Sequence, residues 1–163
     1  METIVFAGGC FWGVEAYFKQ IEGIVDITVG YIDGHKANPS YEDVCSGSGH
    51  AEAIKITYDS EKVALKTLLK HLFNIIDPTL FNRQGPDIGA QYRSGVYNYS
   101  DTQKRELDQF IAGVKDDYKK PLQLTFKTDL PFYEAEAYHQ DYLDKNPSGY
   151  CHVNLDSVKK IKG

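Results

Sequence analysis

Apolar residues along the chain recur with two different periods, and the switches between them outline its elements. Thr3 to Ala7 is a short apolar run halted by Gly8-Gly9, which predicts a buried strand. Val14, Tyr17, Phe18 and Ile21 then fall at i, i+3, i+4 and i+7, which predicts a helix with one apolar stripe, closed by Gly23. Val25, Ile27, Val29 and Tyr31 alternate as a second strand, and Ile54, Ile56 and Tyr58 as a third. Leu65, Leu68, Leu69, Leu72, Phe73 and Ile76 trace the clearest amphipathic helix in the chain. A fourth strand is predicted over about Tyr92 to Tyr99, then a helix (about Thr102 to Tyr118), a strand (about Leu122 to Lys127) and a last helix (about Glu134 to Asp144).

The order is therefore β-α-β-β-α-β followed by α-β-α. Its first six elements match the split βαβ, or ferredoxin-like, plan, an α+β fold with helices on one face of an antiparallel sheet. Two long connections, Asp33 to His50 and Asp77 to Gln91, have no period, and loops of that length are uncommon unless they carry function. The tail after Asp144 is also irregular, and it holds Cys151.

Composition narrows the function more than the fold. The 163 residues show no repeat, linker or low-complexity stretch, so one domain spanning 1–163 is expected. With 42% hydrophobic and 25% charged residues the chain reads as soluble and globular. A net charge of −5 without a basic run argues against nucleic acid or an anionic membrane as partner, and Lys159 to Lys162 reads as a solvated tail end. No segment reaches the roughly 20 apolar residues of a membrane helix. No secretory signal fits the N-terminus, so a cytoplasmic monomer is expected. Three cysteines cannot build a disulfide framework and leave at least one thiol free.

Gly9-Cys10-Phe11-Trp12-Gly13 lies between the first strand and the first helix, which puts Cys10 at or just before a helix N-terminus. Unpaired N–H groups and the positive end of the helix dipole favour an anion there, so a lowered thiol pKa is expected. A buried structural cysteine beside two core aromatics is the competing reading. Phe11 and the sole tryptophan, Trp12, tip the balance, because rings beside a thiolate cradle a small apolar group such as a methyl-sulfur.

These residues resemble the A-type peptide methionine sulfoxide reductases, whose signature is Gly-Cys-Phe-Trp-Gly at 9–13. Further matches follow in family order: Tyr41-Glu42-Asp43-Val44-Cys45, Gly49-His50-Ala51-Glu52, Asn82-Arg83-Gln84-Gly85-Pro86-Asp87 and Gln91-Tyr92-Arg93-Ser94. Ala135-Glu136-Ala137-Tyr138-His139-Gln140 and Asn146-Pro147-Ser148-Gly149-Tyr150-Cys151 complete them. The resemblance implies Cys10 as nucleophile, Phe11 and Trp12 as the methyl pocket, and Glu52 as the acid that protonates the sulfoxide oxygen. It implies Tyr41 and Tyr92 as hydrogen-bond donors to that oxygen, and Asp87 and His139 as parts of the substrate wall. It further implies action on the S epimer, free or in oxidised peptides and proteins, recycling by thioredoxin with no bound cofactor or metal, and Cys151 as the recycling thiol. Ser46-Gly47-Ser48 makes the loop before Gly49 about one residue shorter than the family pattern, and no cysteine follows Cys151.

The chemistry asks for the same residue types. Sulfoxide oxygen leaves only when protonated or strongly hydrogen-bonded, so an acid that stays protonated near neutrality is required. Glu52 shares the parity of Ile54, Ile56 and Tyr58 and should face the same apolar side, which raises a carboxyl pKa. After oxygen transfer, a Cys10 sulfenic acid would condense with Cys151 to a disulfide. Cys45 reads as a structural thiol. Two rival readings use the same residues: a hydrolase with Cys10, His50 or His139 and Glu52 as a triad, and a metal module of Cys10, Cys45, His50, Cys151 and His152 that lacks the usual close ligand pair.

Overall fold

The structure is a computed structural model that describes residues 1–161, so of the basic C-terminal stretch Lys162 lies outside the described residues. In chain order it runs β1 (Glu2–Gly8), α1 (Phe11–Phe18), β2 (Ile24–Ile32), α2 (Tyr41–Cys45), β3 (Ala51–Tyr58) and α3 (Leu65–Ile75). A two-residue hairpin of β4 (Arg83–Gln84) and β5 (Asp87–Ile88) follows, then β6 (Ser94–Tyr97), α4 (Asp101–Val114), β7 (Thr125–Lys127), β8 (Phe132–Glu134) and α5 (Tyr142–Lys145). Short 3-10 turns cover Ala90–Tyr92, Lys115–Asp117, Ala137–His139 and Leu155–Lys160.

The main sheet has the order β7-β6-β1-β3-β2-β8. Its four inner strands are antiparallel, the arrangement of the ferredoxin-like plan, with β1 at its centre. β1 reads as an unbroken apolar run because both of its faces are covered. Ile4 and Phe6 face the main core under α1 and α3, whereas Val5 and Ala7 join Ile32, Ala51, Ala53 and Tyr97 on the reverse side. α4 packs outside α3, where the Phe73 and Phe110 rings meet edge to face at 5.1 Å. Among the described residues no helix is long and apolar enough to cross a membrane.

Several expectations are corrected. The helix expected over about Glu134 to Asp144 is instead an edge strand, a 3-10 turn and the short α5. Phe132, Tyr133 and Glu134 pair with Ile32, Tyr31 and Gly30 of β2, and Asp141 breaks any helix by adopting φ +56. The antiparallel core is as expected, and β7 of the added α-β-α extends it in parallel beside β6. The 33–50 connection contains α2, started by a capping box in which the Ser40 hydroxyl accepts from Asp43 N–H and the Asp43 carboxylate accepts from Ser40 N–H. Val25, expected inward, is exposed because the register shifts between Ile24 and Asp26.

This topology gathers the informative segments at one end of the sheet. β1 ends and β6 begins there (Gly8 opposite Ser94), and β2 ends beside the start of β3 (Ile32 opposite Ala51). The start of α1 and the connections 33–50 and 77–93 therefore converge.

β8 rests on a glycine. A Cβ at Gly30 would collide with the Tyr133 carbonyl and stand 2.8 Å or less from the Phe132 ring. Gly30→Ala is therefore expected to loosen β8 and lower the unfolding free energy by about 1–3 kcal/mol. Urea denaturation checks this, and an unchanged midpoint would contradict it.

Candidate active site

Cys10 occupies the N-cap of α1 with φ −55 and ψ 123, outside helical space, and its carbonyl accepts from Val14 N–H at 3.4 Å. Gly9 before it sits at φ +92, a conformation only glycine adopts cheaply. Cys10 is 7% exposed. The N–H groups of Trp12 and Gly13 favour its thiolate, as the sequence predicts. They do not win. Burial, first, and the Glu52 charge, second, push the Cys10 thiol well above its ordinary range, so the free enzyme holds a neutral thiol. The expectation of an acidic sulfur is thereby corrected: the helix terminus is present, but desolvation outweighs it.

Glu52 is 1% exposed on β3, on the helix side of the sheet. Its Oε1 accepts the Phe11 N–H at 3.1 Å, one of the orphan donors of the first turn of α1. Its Oε2 is buried without a hydrogen-bond partner. Burial, with a smaller push from the Asp87 charge, moves this carboxyl up to about 8, against the opposing Phe11 N–H. Near pH 7 Glu52 is therefore mostly the neutral acid. With Oε1 occupied as an acceptor, Oε2 is left to carry the proton. A neutral Glu52 also relieves Cys10 of the second influence that disfavours its thiolate.

Two phenols share this neighbourhood. Tyr41 opens α2, its N–H donates to Glu136 Oε2 at 2.9 Å, and its ring lies 4.6 Å from that of His139. Tyr92 closes the 3-10 turn after Gly89 and donates its N–H to the Gly89 carbonyl at 3.0 Å. Burial first, and the Glu52 charge second, hold both hydroxyls far above the usual tyrosine range, so both are neutral donors. Asp87 on β5 accepts from the Tyr150 hydroxyl at 2.9 Å, and its charge acts on Cys10, Glu52 and Tyr92.

Phe11 is fully buried, with its ring 5.6 Å from Tyr31 and 5.1 Å from His139. Trp12 is half-buried and fixed twice over. Its indole N–H donates to His139 Nδ1 at 3.0 Å, and its plane stacks on Tyr142 at 3.7 Å and 7°. An indole N–H only donates, so Nδ1 is the acceptor and His139 carries its proton on Nε2. Burial lowers the His139 pKa, which keeps the ring neutral. His139 and Tyr142 thus hold Trp12 in place from the 137–145 segment. Tyr142 and Glu136 are participants the sequence reading did not single out. Glu136 lies inside a quoted motif, and its carboxylate also accepts from the buried Tyr31 hydroxyl at 2.9 Å. No periodicity marks Tyr142.

The tail lies across the start of α1, with all three cysteines free. The Cys151 thiol donates to the Val153 carbonyl at 3.2 Å and stands 3.2 Å from where a Cβ on Gly13 would be. Cys45 is exposed at the far end of α2. The rival triad lacks its key contact, since His50 accepts from Gly34 N–H and bonds the Lys36 carbonyl, while His139 is engaged by Trp12. Among the described residues, no group of three or more His, Cys, Asp or Glu could hold a metal ion.

A family model described as peptide methionine sulfoxide reductase matches residues 2–162. The chain belongs to that family. It is 50% identical over 161 residues to the peptide methionine sulfoxide reductase MsrA of Clostridium tetani, covering 96% of each chain. Among solved structures it superposes on reduced Mxr1 from Saccharomyces cerevisiae with TM-score 0.87 and 36% identity, over 94% of this chain and 91% of that one. Mxr1 in complex with Trx2 matches with TM-score 0.61 and 25% identity, over 86% of this chain and 84% of that one. In this methionine sulfoxide reductase the start of α1 and the 33–50 and 77–93 connections open at one end of the sheet beside Glu52, and the 136–142 and 150–152 segments pack against the residues they carry.

If the Glu52 charge restrains Cys10, removing it frees the thiolate wherever Glu52 is ionised. With Cys45 and Cys151 replaced by serine, Glu52→Gln should accelerate alkylation of Cys10 by iodoacetamide at pH 9, above the Glu52 pKa of about 8. Equal rates in the two proteins would contradict this coupling.

Proposed function

We propose that this chain reduces methionine-S-sulfoxide, free or in peptides, to methionine. Cys10 is the attacking sulfur, Glu52 the proton donor, and Cys151 the thiol that discharges the oxidised enzyme. The single observation that carries this reading is the buried, unpartnered Oε2 of a Glu52 whose pKa stands near 8, beside the Cys10 thiol. The rival cysteine–histidine triad needs a base at its nucleophile, not a neutral acid, whereas sulfoxide cleavage requires the acid.

The sulfoxide oxygen enters among Oε2 and the Tyr41 and Tyr92 hydroxyls, all neutral donors suited to an oxygen that gains negative charge. The methyl group rests against Phe11 and Trp12, where sulfur–aromatic contacts contribute roughly 0.3–1.5 kcal/mol. As Cys10 Sγ bonds to the substrate sulfur, the N–H groups of Trp12 and Gly13 stabilise the charge developing on it. The Glu52 proton passes to the sulfoxide oxygen and the thiol proton replaces it on Glu52. The oxygen then passes as hydroxyl from the substrate sulfur to Cys10 Sγ: the substrate S–O bond and the transient Sγ–S bond break, the Sγ–O bond forms, methionine departs and Cys10 is left as a sulfenic acid. Attack by Cys151 expels the oxygen as water and forms a disulfide, which an external dithiol reduces to two thiols. The structure of Mxr1 with Trx2 supports thioredoxin as that dithiol.

Cys10→Ser should abolish reduction of S-sulfoxide peptides, while Cys151→Ser should still release about one methionine per enzyme in the single-thiol reaction but lose turnover with thioredoxin. Full steady-state activity in either variant would overturn the corresponding assignment.

The acid form of Glu52 exists below about pH 8, so kcat/KM should fall as pH rises through that value. Glu52→Gln should lose this limb and run about 10²- to 10⁴-fold slower at pH 7, the usual worth of a general acid. A wild-type profile retained in the variant would remove Glu52 from the role.

A further inference from the structure

His152 follows the recycling cysteine directly and is not used by the mechanism above. Its ring covers the two glycines that bracket Cys10. The position of a Cβ on Gly9 lies 2.8 Å from His152 Nε2, and that of a Cβ on Gly13 lies 3.2 Å from His152 Nδ1. The same Gly13 point is 3.2 Å from Cys151 Sγ, so the imidazole nitrogen and the recycling thiol share one small patch at the start of α1.

The hydrogen bonding fixes which nitrogen is which. Nε2 lies 3.0 Å from the Gly8 carbonyl, which can only accept, so Nε2 carries the hydrogen. Nδ1 therefore presents a bare lone pair, and it is buried with no partner. A buried acceptor left empty costs about 1–3 kcal/mol. Such an atom on the same patch as a thiol that must lose a proton can serve as its base once that thiol turns from the Val153 carbonyl, to which it donates in the free enzyme.

We infer that His152 is the general base and acid of the recycling step. Nδ1 takes the proton from Cys151 as its sulfur attacks the sulfenic sulfur of Cys10, and the resulting imidazolium N–H returns that proton to the departing oxygen. The new bond is Cys10 Sγ–Cys151 Sγ, the broken bond is Cys10 S–O, and the products are one disulfide and one water. The electron balance is internal: the sulfenic sulfur is reduced as the Cys151 sulfur is oxidised, and no further reagent is needed. The inference rests on the proposed recycling role of Cys151. Burial lowers the His152 pKa, so the ring is neutral and its lone pair available near pH 7. The titratable groups around it are Asp87 from β5, Cys10 from the start of α1, and Cys151 and Tyr150 from its own segment.

His152→Gln separates the two nitrogens, because the glutamine amide keeps an N–H for the Gly8 carbonyl and supplies no base. Reduced enzyme is mixed with excess S-sulfoxide, then quenched and scored for methionine released and for Cys10–Cys151 disulfide formed. The ratio of the disulfide rate to the methionine rate should fall about 100-fold in the variant, the lower range for a lost base. Disulfide formation in the wild type should also slow as pH falls through the His152 pKa, which burial sets below the ordinary histidine range of about 6.5, and that inflection should vanish in the variant. An unchanged ratio, or an inflection that survives the substitution, would overturn the inference. Equal slowing of both steps would also overturn it, since it would mark His152 as packing alone. Normal thioredoxin turnover in Cys151→Ser would overturn the role of Cys151 itself, and this inference with it.

Discussion

The hydrogen bond from Phe11 N–H to Glu52 Oε1 joins the two halves of the site. It ties the first turn of α1, beside the proposed nucleophile Cys10, to the second residue of β3, the proposed acid Glu52. It also satisfies an orphan helix donor with an acceptor that needs no charge to serve. Because the donor is a backbone amide, the carboxyl gains orientation without gaining a cationic partner that would strip its proton. Burial then decides the protonation state. A surface glutamate at the same helix end would be ionised and would act as an ordinary capping charge.

The same desolvation that keeps Glu52 protonated keeps Cys10 as a thiol. The free enzyme is consequently a matched pair of neutral groups, not an ion pair. Nucleophilicity has to emerge together with proton transfer, and the helix N–H groups contribute only once charge appears on sulfur. Such an arrangement restrains the thiol while no sulfoxide is present to take the Glu52 proton. His139 and Tyr142 pin Trp12, and in the proposed reaction that ring would give the methyl group a rigid wall and direct the substrate oxygen toward Oε2 and the two phenols.

Much of this was legible along the chain, and the exceptions have identifiable causes. The β-α-β-β-α-β core follows from local periods that burial on a sheet enforces, and Glu52 could be assigned to the helix side by parity alone. The 134–144 segment misleads because Ala135, Glu136 and Ala137 favour helix locally, whereas the open edge of β2 offers Phe132 to Glu134 a ladder of hydrogen bonds. The α2 helix was hidden by its length, although Ser40 and Asp43 spell its cap. The sign of the Cys10 shift could not be read at all. A sequence locates a helix terminus, but it does not weigh that terminus against the burial that the folded chain imposes on the sulfur.

The chemistry turns on the protonation state of one carboxyl. Carbon-13 NMR of the free enzyme with labelled glutamate side chains, compared with Glu52→Gln to assign the signal, measures it directly. A Glu52 carboxyl resonance that titrates near pH 8, far above the other glutamates, is the expected result. A resonance that titrates with them in the ordinary glutamate range of about 4.3 would contradict the account at its root.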